Sequence, residues 1–430
     1  MSELTYEDLI RELFPRLTGG IRWGLDRTIA LLDSVGNPHN SFRSIHIGGT
    51  NGKGSVAATA ASILTASGSR VGLYTSPHLC TFRERIQIDG QAIGEDALVS
   101  AARKLWPQIK KLSPSFFEAT TCIGFLTLAE AGVEVGVIEV GLGGRLDSTN
   151  VITPEVAVIT NIAMDHSDYL GNSLAQIARE KAGIIKPGIP LVTAEEGAQN
   201  LEIFAESAGE RLVRISTPAR VSFNNAGTIF EYSGQTWTTP LIGEHQATNA
   251  ALAIEAVSRL DAGLAPSSAV TKGLEHVRWP GRMQIETIGN QTWVFDVAHN
   301  VAGVQALVGT LTRLDLPKPV VLVIGILGDK DWQAMLPPLF AISDHVVLTL
   351  PPTAPSNRAW DPHRVLSAVP SDRARVVTDF SAALEQAQSL ADEGTVVVAG
   401  SFHTVGDALI SLGRAPFGSD LTLPRLSFSE

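Results

Sequence analysis

Residues Ser44 to Ser55 read SIHIGGTNGKGS and constrain this chain more than any other stretch. A short apolar run, Ile45 and Ile47 around His46, breaks into Gly48 and Gly49. Thr50, Asn51, Gly52, Lys53, Gly54 and Ser55 follow, and then the alanine-rich run Val56 to Ala61, a good helix former. The pattern is strand, glycine loop, helix, with a lysine at the helix start. Backbone N–H groups and a helix N-terminus then face one point, and Lys53 adds a positive charge there, which suits a polyphosphate. The spacing is not the commonest Walker form. Ile47 stands where the first glycine would be, and Gly54 separates Lys53 from Ser55. A plain strand-to-helix turn would need only one or two glycines, so nucleotide binding is the expectation.

Composition narrows the partners of such a loop. The 430 residues are 44% hydrophobic and 18% charged, enough for two or three packed domains. A net charge of −11 argues against nucleic acid or an anionic membrane as a partner, so small anionic ligands need locally gathered Lys and Arg. Two cysteines, Cys80 and Cys122, are too few for a disulfide framework and suit a reducing compartment. MSELTYEDLI is acidic and polar, unlike a secretory signal, and no uninterrupted apolar run reaches membrane-spanning length. A cytoplasmic location is therefore expected.

Apolar residues at helical spacing predict helices over 5–17 and 25–35 ahead of the glycine loop. Beyond it, strands expected at 70–74, 135–140, 156–161 and 189–194 alternate with helices at 95–112 and 118–131. That alternation signals a mostly parallel sheet. Around 212–240 the period shortens: LVRIS, VSFN, TIFEYSG and TWTTP read as a small antiparallel appendage. Helices at 246–260 and 267–276 follow, and WPGRMQ closes the domain with a turn. A second alternation runs from Thr292, with strands at 292–296, 318–325, 345–350, 374–377 and 395–399. The expected architecture is an α/β P-loop ATPase domain over 1–284, then a doubly wound, Rossmann-like α/β domain over 285–430. The tail after Pro416 is expected to be loosely ordered.

Polar clusters stand where the apolar strands end. Thr75-Ser76-Pro77-His78 follows VGLY and reads as a Ser-Pro turn or a ligand loop. Glu139 ends a Val-Ile run, where an unpaired buried carboxylate is costly, and fits an acid holding Mg²⁺ or its water. Asp165 and His166 follow VAVIT; histidine is an unusual Mg²⁺ ligand, so residue chemistry alone favours a hydrogen-bonding core group. Lys181 lies one helix further on, and a lone helix lysine ordinarily belongs to a solvated face.

GTNGKGS, TSPH, the Glu139 strand, DHSDYLG, EKAGIIKPG, GEHQATNA, WPGRMQ and DVAHN occur here in one order. That ordered set resembles the folylpolyglutamate synthases and dihydrofolate synthases of the Mur ligase superfamily, across residues 20 to 406. The resemblance implies roles position by position. Gly49, Thr50, Asn51, Gly52, Lys53, Gly54 and Ser55 would hold the ATP phosphates. Ser55, Ser76 and Glu139 would serve one Mg²⁺ and His166 a second. Lys181 matches a lysine carbamylated in the superfamily, which reverses the solvated-face reading. Gln246 and Asn249 would line the adenine side. Arg282 and Asp296 would reach the nucleotide from the second domain, and His299 and Ser401 would meet the incoming glutamate. Val297 and Val301 depart from the family's usual glycine and proline, as does Arg83 from its usual asparagine.

The implied reaction joins L-glutamate to a folate carboxylate through an acyl phosphate made with ATP, with Lys53, His166, Lys181 and Arg282 as its catalytic groups. The expected partners are dihydropteroate or folates, L-glutamate and ATP, and the expected state is a monomer. The resemblance favours a bifunctional dihydrofolate and folylpolyglutamate synthase over one that only extends the tail. A peptidoglycan-type Mur ligase would carry a sugar-nucleotide domain ahead of the loop, where this sequence has 48 residues. A nucleotide switch would not need polar clusters in a second domain.

Overall fold

The structure, a computed structural model, describes residues 4–14 and 23–421. Its first unit is built on an eight-stranded sheet: β1 (Arg43–Gly48), β2 (Val71–Tyr74), β3 (Ile86–Ile88), β4 (Gln91–Ala92), β5 (Val135–Glu139), β6 (Val156–Ile159), β7 (Leu191–Thr193) and β8 (Leu212–Arg214). The spatial order is β4-β3-β2-β5-β1-β6-β7-β8, parallel throughout except for the antiparallel edge β2-β3-β4. β1 lies at the centre, between β5 and β6, and every residue from Ser44 to Gly48 is buried. A strand covered by helices on both faces has no solvent side to populate, which explains the unbroken Ile-His-Ile-Gly run.

The alanine-rich segment forms the helix Lys53–Ala66 and is buried on nearly all sides. Ala57, Ala60 and Ala61 share a core with Ala247, Ala250 and Ala251 of the helix Glu244–Leu260. Small side chains let these helix axes come close over the sheet. A three-stranded antiparallel sheet, β9 (Ala219–Asn224), β10 (Gly227–Tyr232) and β11 (Gln235–Thr239), packs Phe230, Tyr232 and Trp237 into the same core.

The second unit is a six-stranded sheet in the order β12-β13-β17-β14-β15-β16. Its strands are β12 (Gln284–Ile288), β13 (Gln291–Asp296), β14 (Val320–Ile324), β15 (His345–Leu348), β16 (Ala374–Val376) and β17 (Thr395–Ala399). Only β12 is antiparallel.

Four expectations need correction. LVRIS does not belong to the appendage: Leu212–Arg214 pairs parallel with β7 and extends the main sheet. The second sheet opens with β12, eight residues before Thr292, because a half-exposed edge strand carries no continuous apolar run. The first helix spans Tyr6–Leu13, and the rest of 5–17 lies mostly outside the described residues. Residues 417–420 are not loose: Asp420 accepts hydrogen bonds from Tyr6, Thr81 and Phe82, whereas 422–430 lie outside the described residues.

Candidate functional site

The C-terminal ends of both sheets face one cavity of about 390 Å³. Its floor is the glycine loop. Gly49 has φ +135°, and a Cβ there would stand 1.9 Å from Thr160 Oγ1, so no larger residue fits. The loop is stapled to the end of β6. Thr160 Oγ1 and Asn161 Nδ2 donate to the Asn51 carbonyl at 2.7 and 3.1 Å, and Thr50 N–H donates to the Asn161 carbonyl at 3.0 Å. Gly54 explains the unusual spacing: the Trp279 indole packs on it, and a Cβ would lie 2.7 Å from the ring. Lys53 opens the helix, and its Nζ donates to the Thr50 carbonyl at 3.2 Å.

Strand pairing sets the next wall. β2 lies beside β5, so Ser76 and Glu139 come together past their ends, and Ser76 N–H donates to Glu139 Oε2 at 3.1 Å. Glu139 is 4% exposed; burial pushes its carboxyl above the usual range, opposed by Lys53, the Ser76 amide, Arg282 and Arg85. Lys181 is buried rather than solvated, with Nζ donating to the Gly49 carbonyl at 2.7 Å. Burial first, and then the Lys53 charge, pull its amine down to about 7.

The loop after β6 brings Asp165 and His166 to the cavity. His166 has φ +52°, and burial followed by Lys330 lowers its imidazole to about 4. Asp165 is the hub between the units. Lys330 Nζ donates to its Oδ1 at 2.7 Å, and Asn300 Nδ2 donates to its Oδ2 at 3.0 Å. Asn300 Nδ2 also lies 3.0 Å from Asn51 Oδ1, in the glycine loop. Against the upward push of burial, His166, Lys330 and Asn300 hold the Asp165 carboxyl below the usual carboxylate range.

The second unit contributes its residues from the end of β13. Asp296 accepts from Met283 N–H at 2.9 Å and Ala298 N–H at 2.8 Å; burial raises its carboxyl and Arg282 opposes that. Arg282 lies 5.1 Å over the Phe402 ring. His299 places Nδ1 2.9 Å from the Val297 carbonyl, so Nδ1 carries the proton and Nε2 keeps its lone pair. Burial lowers that imidazole to about 4.

On a further side, Asn249 Nδ2 donates to Gln246 Oε1 at 3.0 Å, while the buried Gln246 Nε2 has no partner among the described residues. A buried donor without a partner, lining a cavity, marks a place for an acceptor on a ligand. Ser401 stands apart from the cavity: its hydroxyl caps the helix Phe402–Ser411 through Thr404 N–H at 3.0 Å, and the neighbouring Phe402 lines the cavity instead. Sequence reasoning missed Asp165 as a hub, its partners Lys330 and Asn300, and His245, which lines the cavity beside Gln246. Among the described residues no cluster of three or more His, Cys, Asp or Glu could hold a metal alone. The donor set Ser55, Ser76 and Glu139 suits a hard cation that takes its remaining oxygens from phosphate and water.

Two family descriptions match the chain: the Mur ligase middle domain over residues 47–257, and the Mur ligase glutamate ligase domain over 281–402. Folylpolyglutamate synthase of Lacticaseibacillus casei is 38% identical over 367 residues, 80% of this chain and 84% of that protein. Dihydrofolate synthase/folylpolyglutamate synthase of Mycobacterium tuberculosis is 36% identical over 468 residues, 96% of this chain and 95% of that protein. Among solved structures, Mycobacterium tuberculosis folylpolyglutamate synthase complexed with ADP superposes with a TM-score of 0.87 at 35% identity, covering 96% of this chain and 98% of that one. Escherichia coli FolC in complex with DHPP and ADP superposes at 0.82 with 30% identity, covering 94% and 97%.

Proposed function

The chain belongs to the folylpolyglutamate synthase and dihydrofolate synthase family of Mur ligases, and is an ATP-dependent acid–amino-acid ligase; from that premise we propose the roles of its residues and its substrates. It adds L-glutamate to dihydropteroate and extends the glutamate tail of reduced folates. The observation that carries this reading is convergence: the glycine loop, Lys53, Glu139 and Lys181 share one cavity with Arg282, at the junction of the units, and His299 of the second unit. The boundary between the units is placed at 284/285, within one residue of the start of the second sheet at Gln284.

In this reading the ATP phosphates rest on residues 49–55, and the partnerless Nε2 of Gln246, with Asn249, meets the base. The folate carboxylate attacks the γ-phosphorus, ADP leaves, and an acyl phosphate forms. The glutamate amine then attacks the acyl carbon and phosphate leaves. Three anions must be gathered, so Lys53 and Arg282 serve by position and charge, which dominates phosphoryl transfer. Mg²⁺ ions, held by Ser55, Ser76 and Glu139 at one site and His166 at the other, would supply further charge neutralisation. Asp296, fixed by two backbone amides, attracts the Arg282 charge toward the cavity. His299, with Nε2 unprotonated at neutral pH, offers a lone pair that accepts a hydrogen bond from the incoming ammonium.

Lys181 fits carbamylation: a buried amine lowered to about 7 is substantially neutral at physiological pH, and the neutral amine is the form that adds CO₂. Lys181→Ala should lose activity and regain part of it when a short carboxylic acid is supplied; failure of every acid tried would count against the carbamate. The enzyme is proposed to act as a monomer in the cytoplasm, and no described helix is long and apolar enough to cross a membrane. Assaying purified protein with dihydropteroate and with tetrahydrofolate, each with ATP and L-glutamate, tests the substrate assignment. Product from both is expected; product from tetrahydrofolate alone would leave a tail-extending enzyme.

A further inference from the structure

Segment 415–420 follows the last helix of the second unit, yet its polar contacts fall on the first. Asp420 Oδ1 accepts from Tyr6 Oη at 2.9 Å and from Thr81 Oγ1 at 2.6 Å. Its Oδ2 accepts from Phe82 N–H at 2.6 Å, and its own N–H donates to the Cys80 carbonyl at 3.3 Å. Three residues earlier, the Phe417 carbonyl accepts from Arg83 Nη2 at 3.2 Å. One carboxylate thus gathers donors from the first helix and from the 79–85 loop. Apolar tail packing alone would not place three donors on one group.

That loop carries the Ser76 wall of the site. Glu84 ties it internally, accepting from the amides of Leu79, Cys80 and Thr81 at 2.8, 2.9 and 2.9 Å. Arg85 links it to the cavity wall: its Nε lies 2.9 Å from His78 Nδ1, and its carbonyl accepts from Thr75 N–H at 2.9 Å. Ser76 is the next residue, and its amide sits on Glu139. The loop also presses on the second unit, since a Cβ on Gly406 would stand 2.2 Å from the Leu79 carbonyl oxygen. Phe417 walls a small side cavity of about 30 Å³ with Leu79 and Trp279, and that cavity shares Pro77, Arg282 and Phe402 with the main one.

We infer that segment 415–420 is a clasp across the two units, in which Asp420 is a positioning residue that sets the 79–85 loop, and with it the Pro77 and Phe402 side of the cavity, for the folate substrate. Among the described residues, the clasp makes no hydrogen bond to the nucleotide side, built from residues 49–55, Gln246 and Asn249. The inference rests on the folate-ligase reading for its substrate, though not for its geometry.

The test uses the full-length chain with Asp420→Ala, Asp420→Asn and Thr81→Val. Asp420→Ala should raise KM for dihydropteroate at least tenfold while ADP affinity, by calorimetry, stays within twofold. Asp420→Asn and Thr81→Val should fall between, because each keeps part of the donor set. Unchanged KM for dihydropteroate in Asp420→Ala would overturn the inference, as would equal losses in KM and in ADP affinity, the mark of general loosening. Should Asp420→Ala not fold, the KM and ADP comparison in Thr81→Val decides. If the wild type binds ADP but forms no product, the folate reading fails by itself. Hydrogen exchange at the Phe82 amide then judges the clasp: faster exchange in Asp420→Asn supports it and unchanged exchange refutes it.

Discussion

At the end of β1 the cavity wall is backbone, whereas at the end of β13 it is side chains. The first wall needs Gly49 at positive φ against Thr160 and Gly54 beneath an indole, so its amides are fixed before any ligand arrives. Its titratable groups, Glu139 and Lys181, are buried and shifted toward their neutral forms. The second wall reaches over with Arg282, His299, Asn300 and Lys330, and its grip on the first near the glycine loop passes through Asp165 and Asn51. A preorganised cradle suits a transition state whose charge must be met without rearrangement. A few directional hydrogen bonds suit a closure that must also release product. The two walls therefore divide the work: charge stabilisation at the first, closure at the second.

The sharpest way to break that division is Lys53→Ala. Removing one fixed charge-stabilising group of this kind costs roughly 10²–10³-fold in kcat, and the Lys53 side chain, bonded among the described residues to the Thr50 carbonyl alone, holds no core together. Ligase activity should fall by at least that much with little change in thermal unfolding. A variant retaining near-normal turnover would remove the phosphate role from the first wall.

A smaller effect should separate closure from chemistry. Asp165→Asn and Lys330→Met each break a nearly dry ion pair, 2.7 Å long with both side chains about 10% exposed. Each should lower kcat about tenfold, and the double variant should be little worse than either. Groups in direct contact couple by roughly 0.5–3 kcal/mol. ADP affinity should hold in all three, because the cradle is intact. Strictly additive losses would mean that the contact is incidental to closure.

Much of this site was legible because its residues sit in contiguous motifs at strand ends. SIHIGGTNGKGS and the Val-Ile run before Glu139 state burial and chemistry in adjacent letters, and the helix over 95–112 and the strand over 395–399 emerge with the boundaries their periodicity predicts. Asp165 and Lys330 were not legible as a pair: 165 positions separate them, and neither sits in a pattern that demands the other. β8 and β12 failed for a related reason. Both are short edge strands, half solvated, and an edge strand's partner is decided by tertiary packing rather than by its own alternation. Ser401 shows a different ambiguity, since a serine ahead of a helix fits a cap as well as a ligand contact, and in the fold its hydroxyl caps.

The effect furthest from turnover concerns a buried acid outside the cavity wall. Asp407 is 1% exposed, and its Oδ2 accepts from Thr353 N–H at 3.0 Å and Thr353 Oγ1 at 3.1 Å. Burial nevertheless raises its carboxyl from 3.8 to about 6. Between those values the folded chain holds a proton that the unfolded chain has lost, so this group's contribution to stability falls as pH rises through the window. The loss is at most about 3 kcal/mol. Asp407→Asn has no proton to lose and keeps an oxygen for Thr353. Its melting temperature should therefore gain on the wild type from pH 4 to 6 and keep a constant lead above about 7. A gap between Asp407→Asn and wild type that ignores pH would show that the second unit's buried acid carries no proton-linked cost, and that the contrast between the walls lies in the cavity alone.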